Sequence, residues 1–160
     1  METFGLVVKK ARNGKGIYTQ RVYKAGERVF ELEGKVISIP QMDRSPKKFR
    51  DNTYRIGKLK CLSPKGNLGD FLNHSCSPNV YLKVFRGKYY ITAIKRLLKN
   101  KEILLDYSTI LAIDDGWDMK CNCGSKNCRE LIEMYCYLPV RVLDTYKRHK
   151  LIPKYILEIE

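Results

Sequence analysis

Four stretches of the chain carry side chains able to do chemistry. Cys121, Cys123 and Cys128 fall within eight residues as Cys-x-Cys-x4-Cys. Thiolates at that spacing hold a transition metal, and structural zinc takes four ligands in a tetrahedron, so a further ligand must come from elsewhere. Asn73-His74-Ser75-Cys76 sets polar and reactive groups side by side between apolar runs, a pattern that rarely serves packing. Glu102-Ile103-Leu104-Leu105-Asp106-Tyr107 would by itself be an ordinary strand end with Tyr107 as a half-buried aromatic cap. Gly14-Lys15-Gly16 by itself is a plain hairpin turn.

The elements that must position these groups are mostly short strands. Phe4–Val8, Gly16–Thr19, Arg28–Leu32 and Lys35–Ile39 are rich in Val, Ile and aromatic residues and too short for stable helices. Pro40 to Asn52 is polar and basic, which predicts a loop with at most one helical turn. Strand-like runs resume at Thr53–Gly57 and Leu59–Leu62. Val80–Phe85 and Tyr89–Ile94 flank Arg86-Gly87-Lys88 and form the clearest hairpin in the chain. Beyond the cysteines, Pro139 followed by Val142, Leu143 and Tyr146 predicts a helix, and Pro153 separates it from a second short one around Ile156 and Ile159.

Charge narrows the partners. The 160 residues carry 31 Lys and Arg against 17 Asp and Glu, a net charge of +14 that favours anionic surfaces such as nucleic acid. It is unevenly spread: Val80 to Lys101 is basic without an acid, whereas Asp106, Asp114, Asp115 and Asp118 form an acidic block that would draw a basic peptide. Either block also reads as a plain solvated face. No apolar run reaches the roughly 20 residues of a membrane span. The N-terminus has no export pattern, so the six cysteines read as metal ligands and core residues rather than disulfides. The expected setting is cytoplasmic in a microbe or nuclear in a eukaryotic or viral context, and not secreted.

Taken together and in this order, the blocks resemble the SET-domain protein-lysine methyltransferases. That family combines an early Gly-x-Gly, an Asn-His-Ser-Cys loop, Glu-Leu-x-x-Asp-Tyr and a post-SET Cys-x-Cys-x4-Cys, and the resemblance runs from about Gly5 to Leu131. It implies a mainly β fold of several small sheets with a knot-like C-terminal threading, short helices and a helical C-terminal tail. Residues 1–110 would be the SET domain, with 40–66 its variable insert, 111–135 the post-SET zinc segment and 136–160 the tail. Gly14, Lys15 and Gly16 would lie against the methionine end of S-adenosylmethionine. Asn73 and His74 would take its amino and adenine ends, and Leu131 would pack on adenine, beside Glu130 where the family commonly has glycine. The resemblance names Cys76 as the fourth zinc ligand beside Cys121, Cys123 and Cys128, and Tyr107 as the catalytic residue.

The chemistry says what such a site must do. Methyl transfer from a sulfonium is an in-line displacement needing atoms aligned near 3–3.5 Å. Its nucleophile is a neutral amine, and deprotonating a lysine of pKa about 10.4 at pH 7 costs about 5 kcal/mol. Burial in an apolar channel and a nearby cation both favour the neutral amine. Aromatic walls are therefore expected, with no carboxylate at the nitrogen. Tyr54 serves equally as such a wall or as a core tyrosine. Thr92 stands before Ala93-Ile94 where the family often has an aromatic, leaving room in the channel for a methylated lysine or a water. The substrate expected is a basic protein, histone-like, chromatin or ribosomal, with a weak non-specific nucleic-acid contact and no membrane. The competing reading is a catalytically silent SET-like module that binds nucleic acid or a protein partner.

Overall fold

The computed structural model describes residues 2–3 and 5–159. Phe4, the predicted start of the first run, lies outside the described residues. Along the chain run β1 (Glu2–Thr3), β2 (Leu6–Ala11), β3 (Gly14–Thr19), β4 (Arg28–Glu31) and β5 (Lys35–Ser38). Helices α1 (Ile39–Asp43) and α2 (Lys47–Arg50) precede β6 (Tyr54–Gly57), β7 (Lys60–Ser63), β8 (Asn73–His74), β9 (Val80–Phe85), β10 (Lys88–Ala93) and β11 (Leu104–Leu105). β12 (Met119–Lys120), β13 (Leu131–Ile132), α3 (Val140–Arg148) and α4 (Lys154–Leu157) complete it. No described helix is long and apolar enough to cross a membrane.

The strands make four small sheets, ordered β1-β2-β3, β4-β10-β9-β11-β8, β5-β7-β6 and β12-β13. This is the mainly β architecture with short helices and a C-terminal helix that the resemblance implied. The β9–β10 hairpin turns on Arg86 and Gly87, both at positive φ (50° and 75°), a two-residue turn that twists with its strands. The insert holds two short helices rather than the single turn expected. Ser38 and Gln41 form a reciprocal capping box and Pro40 occupies the first turn, so α1 has a start signal that its polar composition hid.

The threading comes from β11. It pairs in parallel with β8 on one side (Leu105 opposite His74) and with β9 on the other (Leu105 opposite Val80). Ser75 N–H donates to Leu105 O at 2.9 Å and Asn79 N–H to Leu104 O at 3.0 Å. Both legs of the Asn73–Val80 loop therefore grip the strand that leads into Tyr107. Leu6, Ile17, Leu82, Ile91, Ile103 and Leu105 anchor the core beneath it. A second cluster, Leu138, Tyr146, Leu151, Ile152, Ile156 and Ile159, belongs to the tail and packs on Tyr81 and Ile94.

Candidate active site and metal centre

A cavity of about 350 Å³ opens beside Tyr107. Its apolar walls are Tyr54, Leu72, Tyr107, Ile110, Leu111 and Trp117, and Asp43, Asp51, Asp70, Asp115 and Asp118 also line it. Tyr107 follows β11 and opens a 3-10 turn, Tyr107–Ile110, capped by the Asp106 side chain accepting from Ser108 N–H. Its hydroxyl donates to Leu72 O at 2.6 Å. Burial pushes its pKa up, so it stays a neutral phenol. The proton being committed to Leu72, the oxygen lone pairs are left for a group entering the cavity.

Tyr54 is buried in the wall, and its hydroxyl donates to Gly69 O at 2.8 Å. Burial raises its pKa as well, with Tyr107 and Asp70 adding to the effect. Trp117 is the chain's single tryptophan. Its Nε1–H donates to Asp51 Oδ1 at 2.9 Å, so the insert and the segment before the cysteines meet across the cavity. Nothing in the motifs pointed to that contact, because the two residues lie in different blocks of unremarkable sequence.

Thr92 does not join this site. Cross-strand register sets it opposite Tyr81, whose ring packs on the tail cluster, while its neighbour Ile91 faces the core that Tyr107 packs against. Thr92 is not among the residues lining the cavity, and its hydroxyl lies 3.4 Å from Tyr90 O.

The acidic block is also largely spent internally. Asp106 is fully buried, accepting from Arg129 at 2.8 and 2.7 Å and from the Tyr146 hydroxyl at 2.9 Å. Asp114 and Asp115 receive the buried Arg55 guanidinium at 2.9 and 2.5 Å. Asp118 alone of the block is exposed without an ion pair among the described residues, and Asp43 of α1 joins it at the cavity.

The β2–β3 hairpin meets β8. Asn73 Nδ2–H donates to Lys15 O at 3.0 Å and to Glu102 Oε1 at 2.9 Å. Gly16 lies so close that an added Cβ would come within 2.9 Å of Ala11 Cβ and 3.0 Å of Asn73 Nδ2. A side chain would wedge the hairpin off Asn73, which is why glycine is required. Asn73 Oδ1 takes no hydrogen bond among the described residues and is left as an acceptor. Gly14 and Lys15 are exposed at the start of β3, and the hairpin tip reaches the cysteine segment, where Asn13 Nδ2 lies 3.5 Å from Asn122 O. Leu131 is 39% exposed on β13, next to the buried Ile132.

The cysteines converge as well. His74, Cys76, Cys121 and Cys123 offer ligand atoms within 4.8 Å of one another, and Cys76 Sγ lies 3.7 Å from Cys121 Sγ. Cys128 packs against the same cluster around Ile132. Beside Cys76, Cys121 and Cys123, the fourth position is open to His74, which converges with them, or to Cys128. Tyr107 N–H donates to His74 Nδ1 at 3.1 Å, so that nitrogen bears no proton. Burial lowers the His74 pKa to about 4 despite Asp106, leaving a neutral ring whose one proton sits on Nε2. Nε2 faces Cys76 Sγ at 3.4 Å, and in that tautomer His74 donates to sulfur.

The chain belongs to the SET domain family, whose sequence model matches residues 14–108. Among its relatives is histone-lysine N-methyltransferase 2B of Homo sapiens, 32% identical over 139 residues, which are 79% of this chain and 5% of that protein. Another is the H3 lysine-36 specific histone-lysine N-methyltransferase of Candida glabrata, 31% identical over 137 residues, 76% of this chain and 18% of that protein. The H3 lysine-4 specific enzyme of Cryptococcus neoformans is 29% identical over 133 residues, 76% of this chain and 9% of that protein. The chain thus spans less than a fifth of the length of these relatives.

Proposed function

We propose that this chain is an S-adenosylmethionine-dependent protein-lysine N-methyltransferase acting on a basic, histone-like protein. The observation that carries the reading is Tyr107: a neutral phenol in the cavity wall, its proton held by Leu72 O and its backbone N–H donated to His74, the residue after Asn73. A lysine side chain fits the cavity: the Tyr54, Trp117 and Leu72 walls disfavour the ammonium form, while the aspartates that also line it attract the charged group on its way in. The Tyr107 oxygen accepts an amine N–H and so turns the nitrogen lone pair away from itself, towards the donor side. S-Adenosylmethionine supplies the electrophilic methyl group. Asn73 Oδ1 suits its ammonium, the Gly14–Gly16 backbone its methionine end, and Leu131 its adenine, with His74 contributing backbone. Asp118 and Asp43 at the mouth suit basic residues flanking the lysine.

For the metal we infer zinc on Cys76, Cys121, Cys123 and Cys128. A tetrahedron with Zn–S bonds near 2.3 Å has sulfur–sulfur edges of about 3.8 Å, which fits the 3.7 Å between Cys76 and Cys121. The division into 1–110, 111–135 and 136–160 follows from this reading. A weak, non-specific contact with nucleic acid is assigned to the outer face of β4, β9 and β10, where Arg28 stacks on Phe85 and Tyr90 at 4.6 and 4.3 Å and Arg86 on Phe85 at 5.2 Å. Such an enzyme works where basic chromatin-like proteins are found, in the nucleus of a eukaryotic cell or the cytoplasm of a microbe.

Incubation with methyl-labelled S-adenosylmethionine and purified core histones tests the function. Label in histone lysines is expected. Cofactor binding and transfer both absent, with salt-sensitive DNA binding present, would instead favour a silent binding module.

A further inference from the structure

The tail holds the cavity from outside at both of its tyrosine walls. α3 carries Tyr146, whose hydroxyl donates to Asp106 Oδ2 at 2.9 Å, and Asp106 immediately precedes Tyr107. α4 carries Tyr155, whose hydroxyl donates to Arg55 O at 2.8 Å, and Arg55 immediately follows Tyr54. Between these contacts Ala112, fully buried, is the tail cluster's foothold on the segment after Tyr107. Ala112 N–H donates in turn to Asp115 Oδ2, and Asp115 holds Arg55. Burial raises the pKa of both tail tyrosines, so both remain donors.

Among the described residues none beyond Asp118 lines the cavity. The tail reaches it through the residues that it holds. We propose that residues 138–159 are a brace that fixes the positions of Tyr107 and Tyr54, with Tyr146 and Tyr155 as positioning residues. This rests on the methyltransferase reading for its catalytic consequence and on the hydrogen bonds alone for its structural one. An in-line transfer is sensitive to displacements of about 1 Å, so a brace that lets Tyr107 drift lowers turnover more than it lowers binding.

The test is steady-state methylation of core histones by the full chain, far below its melting temperature, for the wild type, Tyr146→Phe, Tyr155→Phe and Tyr107→Phe. Tyr146→Phe leaves both Arg129 hydrogen bonds on Asp106, so the fold is kept. Its kcat should fall on the order of 10-fold with little change in KM for S-adenosylmethionine. The same substitution in a Tyr107→Phe background should cost much less, because its effect passes through Tyr107. An equal loss in both backgrounds, or a kcat within about 2-fold of wild type, overturns the proposal. Amide hydrogen exchange of Asp106–Ala112 provides a readout independent of activity. Faster exchange there in Tyr146→Phe supports the brace even should the wild type transfer no methyl group, and unchanged exchange overturns it.

Discussion

Arg129 grips Asp106 with two hydrogen bonds, of 2.8 and 2.7 Å, and so fastens the cysteine segment to the residue directly before Tyr107. Both Asp106 and its Tyr146 partner are buried, and Arg129 nearly so. A carboxylate in that position is tolerable only because three side-chain donor contacts reach it.

Removing the guanidinium leaves the charge without its counter-ion. Arg129→Ala should cost about 3–5 kcal/mol. For a domain of this size that is a fall in Tm of roughly 6–20 °C, readable by thermal denaturation. A change of under about 2 °C would mean that Asp106 is not the buried ion the geometry makes it.

Trp117 makes the cavity observable. As the only tryptophan, it reports directly on what enters beside Tyr107. A lysine peptide should change its fluorescence, whereas the same peptide with lysine replaced by glycine, which leaves the cavity unfilled, should bind much more weakly. Asp51→Ala frees the indole N–H and should weaken peptide affinity by about 3- to 10-fold, equivalent to about 0.7–1.4 kcal/mol.

Metal removal should loosen the cysteine segment. A strong chelator is expected to lower Tm by roughly 8–16 °C, as loss of a ligand present at about a thousand times its Kd would do. Cobalt reconstitution then separates the ligand sets. Cys128→Ser should lose one thiolate's share of the sulfur-to-cobalt charge-transfer band, and His74→Asn should keep the full intensity. The opposite pattern would make His74 the ligand.

Much of this arrangement was legible where local pattern and pairing coincide. The β9–β10 hairpin was, because alternation on both sides of Arg86-Gly87 leaves one register. The tail helices were, because Pro139 and Pro153 mark their starts. β8 and β11 were not: each has two residues, with no period to read, and their pairing joins residues about thirty apart in sequence. Only the likeness of Asn73-His74-Ser75-Cys76 and Asp106-Tyr107 to a known family brought them together. Sequence position makes Thr92 a channel candidate, whereas in the fold it pairs with Tyr81 and is not among the residues lining the cavity. The acidic block suggested a peptide-attracting surface, but Arg55 and Arg129, from distant segments, neutralise most of it. Charge counted along a chain does not reveal which charges fold against each other.

The proposed reaction is methyl transfer to lysine with the Tyr107 oxygen holding the amine. Mass spectrometry of core histones incubated with S-adenosylmethionine and either the wild type or Tyr107→Phe tests it most directly. The wild type should add methyl groups at lysine, and Tyr107→Phe should reduce the initial rate by roughly 10- to 100-fold, the loss of about 1.5–3 kcal/mol in the transition state. Methylation by Tyr107→Phe at the wild-type rate would contradict it.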